Sequence, residues 1–163
     1  MDYSIKQINK DDRKPLIDIF NHYIENSFAA YLETRVGYDT FDRFLQLSED
    51  YPRASLRDSN GKLIGFGFLR AYHFAPAFSK TAEITYFIHP DYTGKGLGRS
   101  LLNHILVDAK RKGLKNILAS ISSLNPWSIS FHQKNGFRES GRFRNIGIKN
   151  GRSFDTIWMQ RVL

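Results

Sequence analysis

The most constraining stretch of this chain is a run of strand-like residues, Ile84-Thr85-Tyr86-Phe87-Ile88-His89. It passes through Pro90-Asp91-Tyr92-Thr93-Gly94-Lys95-Gly96-Leu97-Gly98-Arg99-Ser100 into a helical pattern. Gly94, Gly96 and Gly98 stand at alternate positions and leave no side chain between the backbone and whatever lies against it. Several N–H groups can therefore turn toward one anion. The helix beginning near Gly98 adds its own unpaired N–H groups and the positive end of its dipole, completing a phosphate cradle. The spacing excludes two other cradles. A P-loop needs Gly-x-x-x-x-Gly-Lys-Ser/Thr, and a dinucleotide fingerprint needs a third Gly where Arg99 or Leu101 stands. Taken alone, the triplet fits a flexible strand-to-helix turn equally well.

The rest of the chain supplies the elements around this stretch. Tyr3 to Ile8 alternates as an opening strand, and Asp11 or Asp12 can cap a helix carrying Leu16, Ile17, Ile19, Phe20, Tyr23 and Ile24. Ser27 to Gly37 loses periodicity while holding Phe28 and Tyr31, an aromatic loop suited to a pocket wall. Thr40 caps a short helix with Phe41, Phe44, Leu45 and Leu47 inward, ending before Pro52. Strands Arg53 to Arg57 and Lys62 to Phe74 flank the hairpin signal Asp58-Ser59-Asn60-Gly61, with Gly65 and Gly67 marking a bulge or a close backbone approach. Ala75 to Lys80 is a loop and Thr81 to His89 the strand of the first paragraph. The helix from Gly98 to about Lys112 buries Leu101, Leu102, Ile105, Leu106 and Ala109, leaves His104 at the surface and stops at Gly113. A strand from Asn116 to Ile121, a helix from Ser123 to Asn135 and a hairpin of Phe137 to Ile148 with Arg152 to Val162 complete the chain. Pro126 suits that last helix's first turn, and Asn150-Gly151 the hairpin turn. The expected fold is an α/β sheet with helices on its faces, as one domain over residues 1–163 with no repeat or linker. It sets the glycine loop at the C-terminal end of a strand, where open sheets bind ligands.

Composition narrows the chemistry. The absence of cysteine excludes disulfides, thiolate metal sites and a cysteine nucleophile, and no metal is expected. Asp11, Asp12, Arg13 and Lys14 interrupt any signal-peptide core, and no apolar run approaches a membrane span, so a cytoplasmic protein is expected. The net charge of +8 favours an anionic partner, whether nucleic acid, an acidic surface or a phosphorylated small molecule, although scattered basic residues also make an ordinary solvated surface.

At this point the chain resembles the GNAT acetyltransferase superfamily, with Thr93-Gly94-Lys95-Gly96-Leu97-Gly98 in place of the pyrophosphate loop Gln/Arg-x-x-Gly-x-Gly/Ala. Thr93 replaces the usual Gln or Arg, which removes a side-chain donor and leaves the backbone cradle. The likeness sharpens toward the phosphinothricin acetyltransferase-like branch. It is carried by Asn21-His22-Tyr23-Ile24-Glu25, Tyr51-Pro52, Glu83, Ser128-Ile129-Ser130-Phe131-His132 with Asn135-Gly136-Phe137, and Gly147-x-Lys149-x-Gly151 with Asp155. The resemblance spans nearly the whole chain. It implies a mixed, mostly antiparallel central sheet of about seven strands flanked by about four helices. It also implies acetyl transfer from acetyl-CoA to a primary amine, and a homodimer. The backbone at Tyr86, Phe87 and Ile88 would pair with the pantetheine arm. Gly94, Lys95, Gly96, Leu97, Gly98 and Arg99 would hold the pyrophosphate, and Asn125 and Lys134 would touch the cofactor.

An alkylammonium cannot attack a thioester and stays protonated to about pH 10, so a base is required. Glu83, at the start of an apolar strand, is the first candidate, with burial raising its pKa; alternatively it is a strand-end carboxylate paired with Lys80 or another basic group. His132 is the second, able to relay a proton or to hold Glu83, against the reading of a helix-surface histidine. Tyr31 matches an aromatic lining the branch's substrate pocket. Where the phosphinothricin enzymes keep a basic residue and a Tyr, this chain has Ala75 and Phe78, with His73 as the nearby basic replacement and Arg70 farther back. The missing Arg removes a bidentate carboxylate grip and argues against phosphinothricin itself. The expected acceptor is a small amine such as an amino-acid analogue, bound by Tyr31, His73 and Phe78. A peptide or protein amine, and a non-catalytic nucleic-acid-binding or CoA-sensing domain, stay open as alternatives.

Overall fold

A computed structural model describes residues 2–163. Its strands are β1 (Tyr3–Lys6), β2 (Arg53–Asp58), β3 (Leu63–Ala71), β4 (Thr81–Ile88), β5 (Asn116–Ser122), β6 (Arg138–Lys149) and β7 (Arg152–Val162). Its helices are α1 (Arg13–Asn26), α2 (Thr40–Leu47), α3 (Leu97–Arg111) and α4 (Pro126–Lys134). The strands form one seven-stranded sheet in the order β1-β2-β3-β4-β5-β7-β6, antiparallel throughout except between β4 and β5. Fold class and element order are thus as the sequence leads one to expect. No helix among the described residues is long and apolar enough to cross a membrane.

Strand alternation divides the core. Ala82 and Ile84 of β4, with Ile117, Ala119 and Ile121 of β5, pack under Leu101, Leu102, Ile105 and Ala109 of α3. Phe66 and Phe68 of β3 face the other way, against Leu16, Ile17 and Ile19 of α1 and Phe41 of α2. Gly65 and Gly67 are close approaches, and Gly65 also borders a bulge, since Leu56 pairs with Gly65 but Arg57 with Leu63. The extra residue is Ile64 of β3, left without a β2 partner between Leu63 and Gly65. A Cβ on Gly67 would stand 2.8 Å from both Ile105 Cδ1 and Tyr86 Cβ, so a side chain there would displace its neighbours on α3 and β4.

Several boundaries differ from the sequence reading. Asp11 and Asp12 do not cap α1 through their side chains. Asn9 and Asp12 instead close a capping box around a 3-10 turn at Lys10–Asp12. Asp12 is 1% exposed, and both its oxygens accept from Arg57 Nη2 at 2.6 and 2.8 Å, which ties α1 to β2. Neither does Thr40 act as a cap; it is the first residue of α2, behind Asp39. α4 starts at Pro126, later than Ser123, because Asn125 Oδ1 accepts from Ser128 N–H and sets the cap there. β3 ends at Ala71, three residues before Phe74, and the chain turns through a 3-10 segment at Pro76–Phe78. At the closing hairpin Asn150 and Gly151 both have positive φ, the type I′ geometry that the Asn-Gly pair favours.

Candidate active site

The parallel pair β4 and β5 is joined only at Thr81↔Asn116, Ala82↔Ile117 and Glu83↔Leu118, although the strands run on to Ile88 and Ser122. Beyond Glu83 each stays with its antiparallel partner, Ile88 opposite Gly65 and Ser122 opposite Thr156, and the two part. The gap opens a cavity of about 970 Å³.

Hydrogen-bond parity determines what β4 offers to this gap. Tyr72 N–H bonds to Thr81 O and His89 N–H to Ile64 O, both in register with the β3 ladder. Glu83, Thr85 and Phe87 therefore exchange their main-chain bonds with β3, and the even residues direct theirs away from it. The N–H and C=O of Tyr86 and the N–H of Ile88 face the gap, while Ile88 O accepts from Tyr23 Oη at 2.5 Å. Of the backbone trio expected to meet a ligand, Phe87 is thus excluded, since its amide is engaged by Phe66; it lines the cavity with its ring.

At the far end of β4 lies the glycine loop. Thr93 N–H is taken by Pro90 O and Ser100 N–H by Gly96 O. Between them the N–H groups of Gly94, Lys95, Gly96, Leu97, Gly98 and Arg99 have no partner among the described residues. Gly94 and Gly96 have φ of +72° and +78°, and apart from their chain neighbours no atom of the described residues lies within 4 Å of where a Cβ would stand. These amides, with the N-terminus of α3 behind them, fit a diphosphate. Lys95 and Leu97 do not line the cavity: Lys95 Nζ donates to Asp91 O, and the Leu97 side chain is buried. Arg99, Asn125 and Lys134 also line the cavity, as does exposed Trp127, which no sequence signal singled out.

His132 lies on the α3 side. Its Nδ1 is 2.7 Å from Ser128 O, and a carbonyl only accepts, so Nδ1 carries the proton. Nε2, 2.7 Å from Tyr86 Oη, then accepts from the tyrosine hydroxyl. Burial pulls the imidazole below its ordinary pKa, against the smaller effect of the Ser128 carbonyl, and burial also pushes the Tyr86 phenol up. The pair is a neutral imidazole and a neutral phenol. His132 has no hydrogen bond to Glu83, contrary to the expectation that it holds that carboxylate. Glu83 and Tyr86 are three residues apart on one strand, so their side chains leave by opposite faces. His132 is 4% exposed, not a helix-surface residue. Because its folded pKa is depressed, the unfolded chain binds more protons as pH falls below about 6.5, and stability falls with it. Urea titrations at pH 7.5 and 5.5 are expected to show a smaller stability loss in His132→Gln than in the parent chain; an equal loss contradicts the neutral assignment.

On the opposite face Glu83 Oε1 accepts from Arg70 Nη2 at 2.8 Å, with side-chain exposures of 16% and 37%. The carboxylate is ion-paired rather than isolated in an apolar strand, and its partner is Arg70 rather than Lys80. Tyr31 reaches over from the α1–α2 loop, its Oη 2.9 Å from Ser120 Oγ. Burial raises the Tyr31 pKa, the Glu83 charge adds to that, and hydrogen bonds to Ser120 and Thr156 oppose it. Arg70, Glu83, Tyr31 and Ser120 all line the cavity. His73 and Phe78 do not. They lie past the end of the β3 ladder, where His73 Nδ1 accepts from Ala75 N–H and Phe78 packs edge-on against Tyr72. Arg70, directly opposite Glu83 in the register, takes the place expected of His73. Phe28 is also outside the cavity, under Arg152 and Lys149. Ser120 escaped the sequence reading, although Leu118, Ser120 and Ser122 alternate with Ile117, Ala119 and Ile121 and so mark one polar-edged face of β5.

The Acetyltransferase (GNAT) domain family matches residues 5–158. The phosphinothricin N-acetyltransferase of Streptomyces coelicolor is 32% identical, over 94% of this chain and 92% of that protein. The L-methionine sulfoximine/L-methionine sulfone acetyltransferase of Salmonella typhimurium is 29% identical, over 98% of this chain and 94% of its own length. Among solved structures, a GNAT superfamily phosphinothricin acetyltransferase from Sinorhizobium meliloti in complex with AcCoA superposes with a TM-score of 0.94 at 28% identity, covering 100% of this chain and 89% of the other.

Proposed function

The chain belongs to the GNAT acetyltransferase family, and from that premise we propose that it acetylates the primary amine of a small amino acid or amino-acid analogue, with Glu83 as the base. The observation that carries this reading is the split between β4 and β5. It brings the loop residues Gly94, Gly96, Gly98 and Arg99 with their unpartnered amides, an unpaired strand edge and a carboxylate to one cavity. Acetyl-CoA, when bound, supplies a thioester carbonyl open to attack and a thiolate that can leave. The amides from Gly94 to Arg99 hold its diphosphate, Tyr86 and Ile88 pair with its amide-bearing arm, and one of these strand N–H groups steadies charge on the thioester oxygen. Asn125 and Lys134 border the same arm. Glu83, directly or through a water, takes the proton from the incoming ammonium, and Arg70 fixes the carboxylate's direction. Tyr31 and Ser120 wall the acceptor end. His132 acts through Tyr86 as a positioning residue. Attack is direct, since there is no cysteine to carry the acyl group.

The test is a turnover screen with acetyl-CoA over amino acids, their sulfones and sulfoximines, polyamines and peptides. Sulfones and sulfoximines are expected to lead. Peptides turning over faster than every small amine would overturn the assignment in favour of a protein acceptor.

Use of acetyl-CoA also supports a cytoplasmic location. A homodimer is proposed through edge strand β6, which carries exposed Phe143, Ile146 and Ile148. Light scattering is expected to give twice the 18.9 kDa chain mass. The variant Phe143→Asp/Ile148→Asp should run as a monomer, and a monomeric parent chain rejects the dimer.

A further inference from the structure

Lys149 is 1% exposed, and its ammonium forms no ion pair within 4 Å among the described residues, although the Glu33 carboxylate is near enough to act on it. Instead its Nζ donates to Ile24 O, Ser27 O and Ala30 O, each at 2.7 Å, so three N–H groups are matched by three carbonyls. Those carbonyls belong to the last turn of α1, its C-cap and the loop that follows. There the helix leaves acceptors unpaired and its dipole favours a cation. Lys149 stands at the tip of the β6–β7 hairpin, so a single charge joins two parts of the chain more than a hundred residues apart.

Other contacts of the same hairpin converge on the same loop. The backbone N–H of Asn150 donates to Glu33. The ring of Tyr31, the residue after Ala30, stacks on Phe154 with centroids 5.5 Å apart and planes 8° from parallel. Phe154 in turn lies over Gly147, where a Cβ would stand 2.2 Å from the ring, so only glycine leaves it that place. The loop segment from Ser27 to Glu33 is thus held from above by Lys149, from the side by Phe154 and beyond by Asn150. Its one group at Ser120, beside the Glu83 charge, is the Tyr31 hydroxyl.

We propose that Lys149 is a positioning residue for the acceptor: its ammonium holds the Ser27–Ala30 backbone so that Tyr31 closes the acceptor end of the cavity against Ser120. This rests on the reading of Tyr31 and Glu83 as that end. Lys149 lies outside the set of residues lining the cavity, so it acts through the loop. A methionine at 149 matches the length of the lysine and leaves three carbonyls without their donor.

The experiment is steady-state kinetics on the full chain with L-methionine sulfone as the acceptor probe, comparing Lys149→Met, Tyr31→Phe and the double variant. Lys149→Met is expected to raise the acceptor KM at least tenfold while the acetyl-CoA KM stays within twofold. The double variant should be no worse than Lys149→Met alone, because both changes remove the same contact. A general structural role would move both KM values together, and that result overturns the proposal. If Tyr31→Phe raises the acceptor KM and Lys149→Met leaves it unchanged, the proposal falls and the acceptor assignment stands; if Tyr31→Phe leaves it unchanged, the acceptor assignment itself falls. Should Lys149→Met not fold, Glu33→Ala, which cuts the neighbouring tie from the surface, takes its place. A rise of about threefold in acceptor KM alone supports the clamp, and no change overturns it.

Discussion

Glu83→Gln is expected to lower kcat/KM for the acceptor amine by about 10²- to 10⁴-fold, the range typical of losing a general base, with acetyl-CoA affinity unchanged. The substitution keeps the shape of the side chain and an oxygen that can still accept from Arg70, so the loss isolates proton removal from packing. Without a base only the unprotonated fraction of the amine can react, and below the amine's pKa that fraction grows tenfold for each unit by which the pH rises. The variant should therefore recover steeply between pH 7.5 and 9.5, where the parent enzyme changes less. Acceptor kinetics at both pH values, with acetyl-CoA binding measured by calorimetry, read out both halves of the expectation. A rate equal to that of the parent enzyme removes Glu83 as the base.

The second large effect is expected at the other end of the cavity. Gly96→Val places a β-branched residue at φ +78°, a backbone region that costs such residues on the order of 1–3 kcal/mol. Apart from its chain neighbours no atom of the described residues lies within 4 Å of the new Cβ, so the added atoms enter the space where the amides converge. The loop can relieve the strain only by turning those amides away. The acetyl-CoA KM is expected to rise at least thirtyfold, with kcat at saturation within about threefold of the parent. Gly61→Ala is the control, because Gly61 has φ +81° in the β2–β3 turn and does not border the cavity. It should lower the melting temperature and leave the acetyl-CoA KM alone. An acetyl-CoA KM within twofold of the parent in Gly96→Val would show that the cradle is not the diphosphate site.

The parts of the site that were legible in the sequence are those built from contiguous residues. Alternate glycines after a strand and before a helix determine where N–H groups can go, whatever surrounds them. The register of a hairpin is less local. Reading β3 as far as Phe74 put His73 at the pocket, whereas the ladder stops at Ala71 and sets Arg70 opposite Glu83. Nothing in the residues near Arg70 distinguishes it from an ordinary exposed arginine, because its partner is chosen by the strand across from it. The same holds for His132. Its place in α4 was readable, but Tyr86 and Glu83 leave β4 on opposite faces, and only the packing of α4 decides which of them the imidazole meets.

From its residues alone the chain determined a mixed sheet with four helices, a glycine loop with free amides at the end of β4 and a carboxylate on that strand, since period, turn chemistry and backbone freedom are properties of neighbours in sequence. Tertiary structure decided where β4 and β5 part, which cation faces Glu83, and that a lysine from the last hairpin holds the loop carrying Tyr31. Those outcomes depend on pairing between distant segments, where a single register step or one buried charge selects among arrangements that local pattern leaves equal.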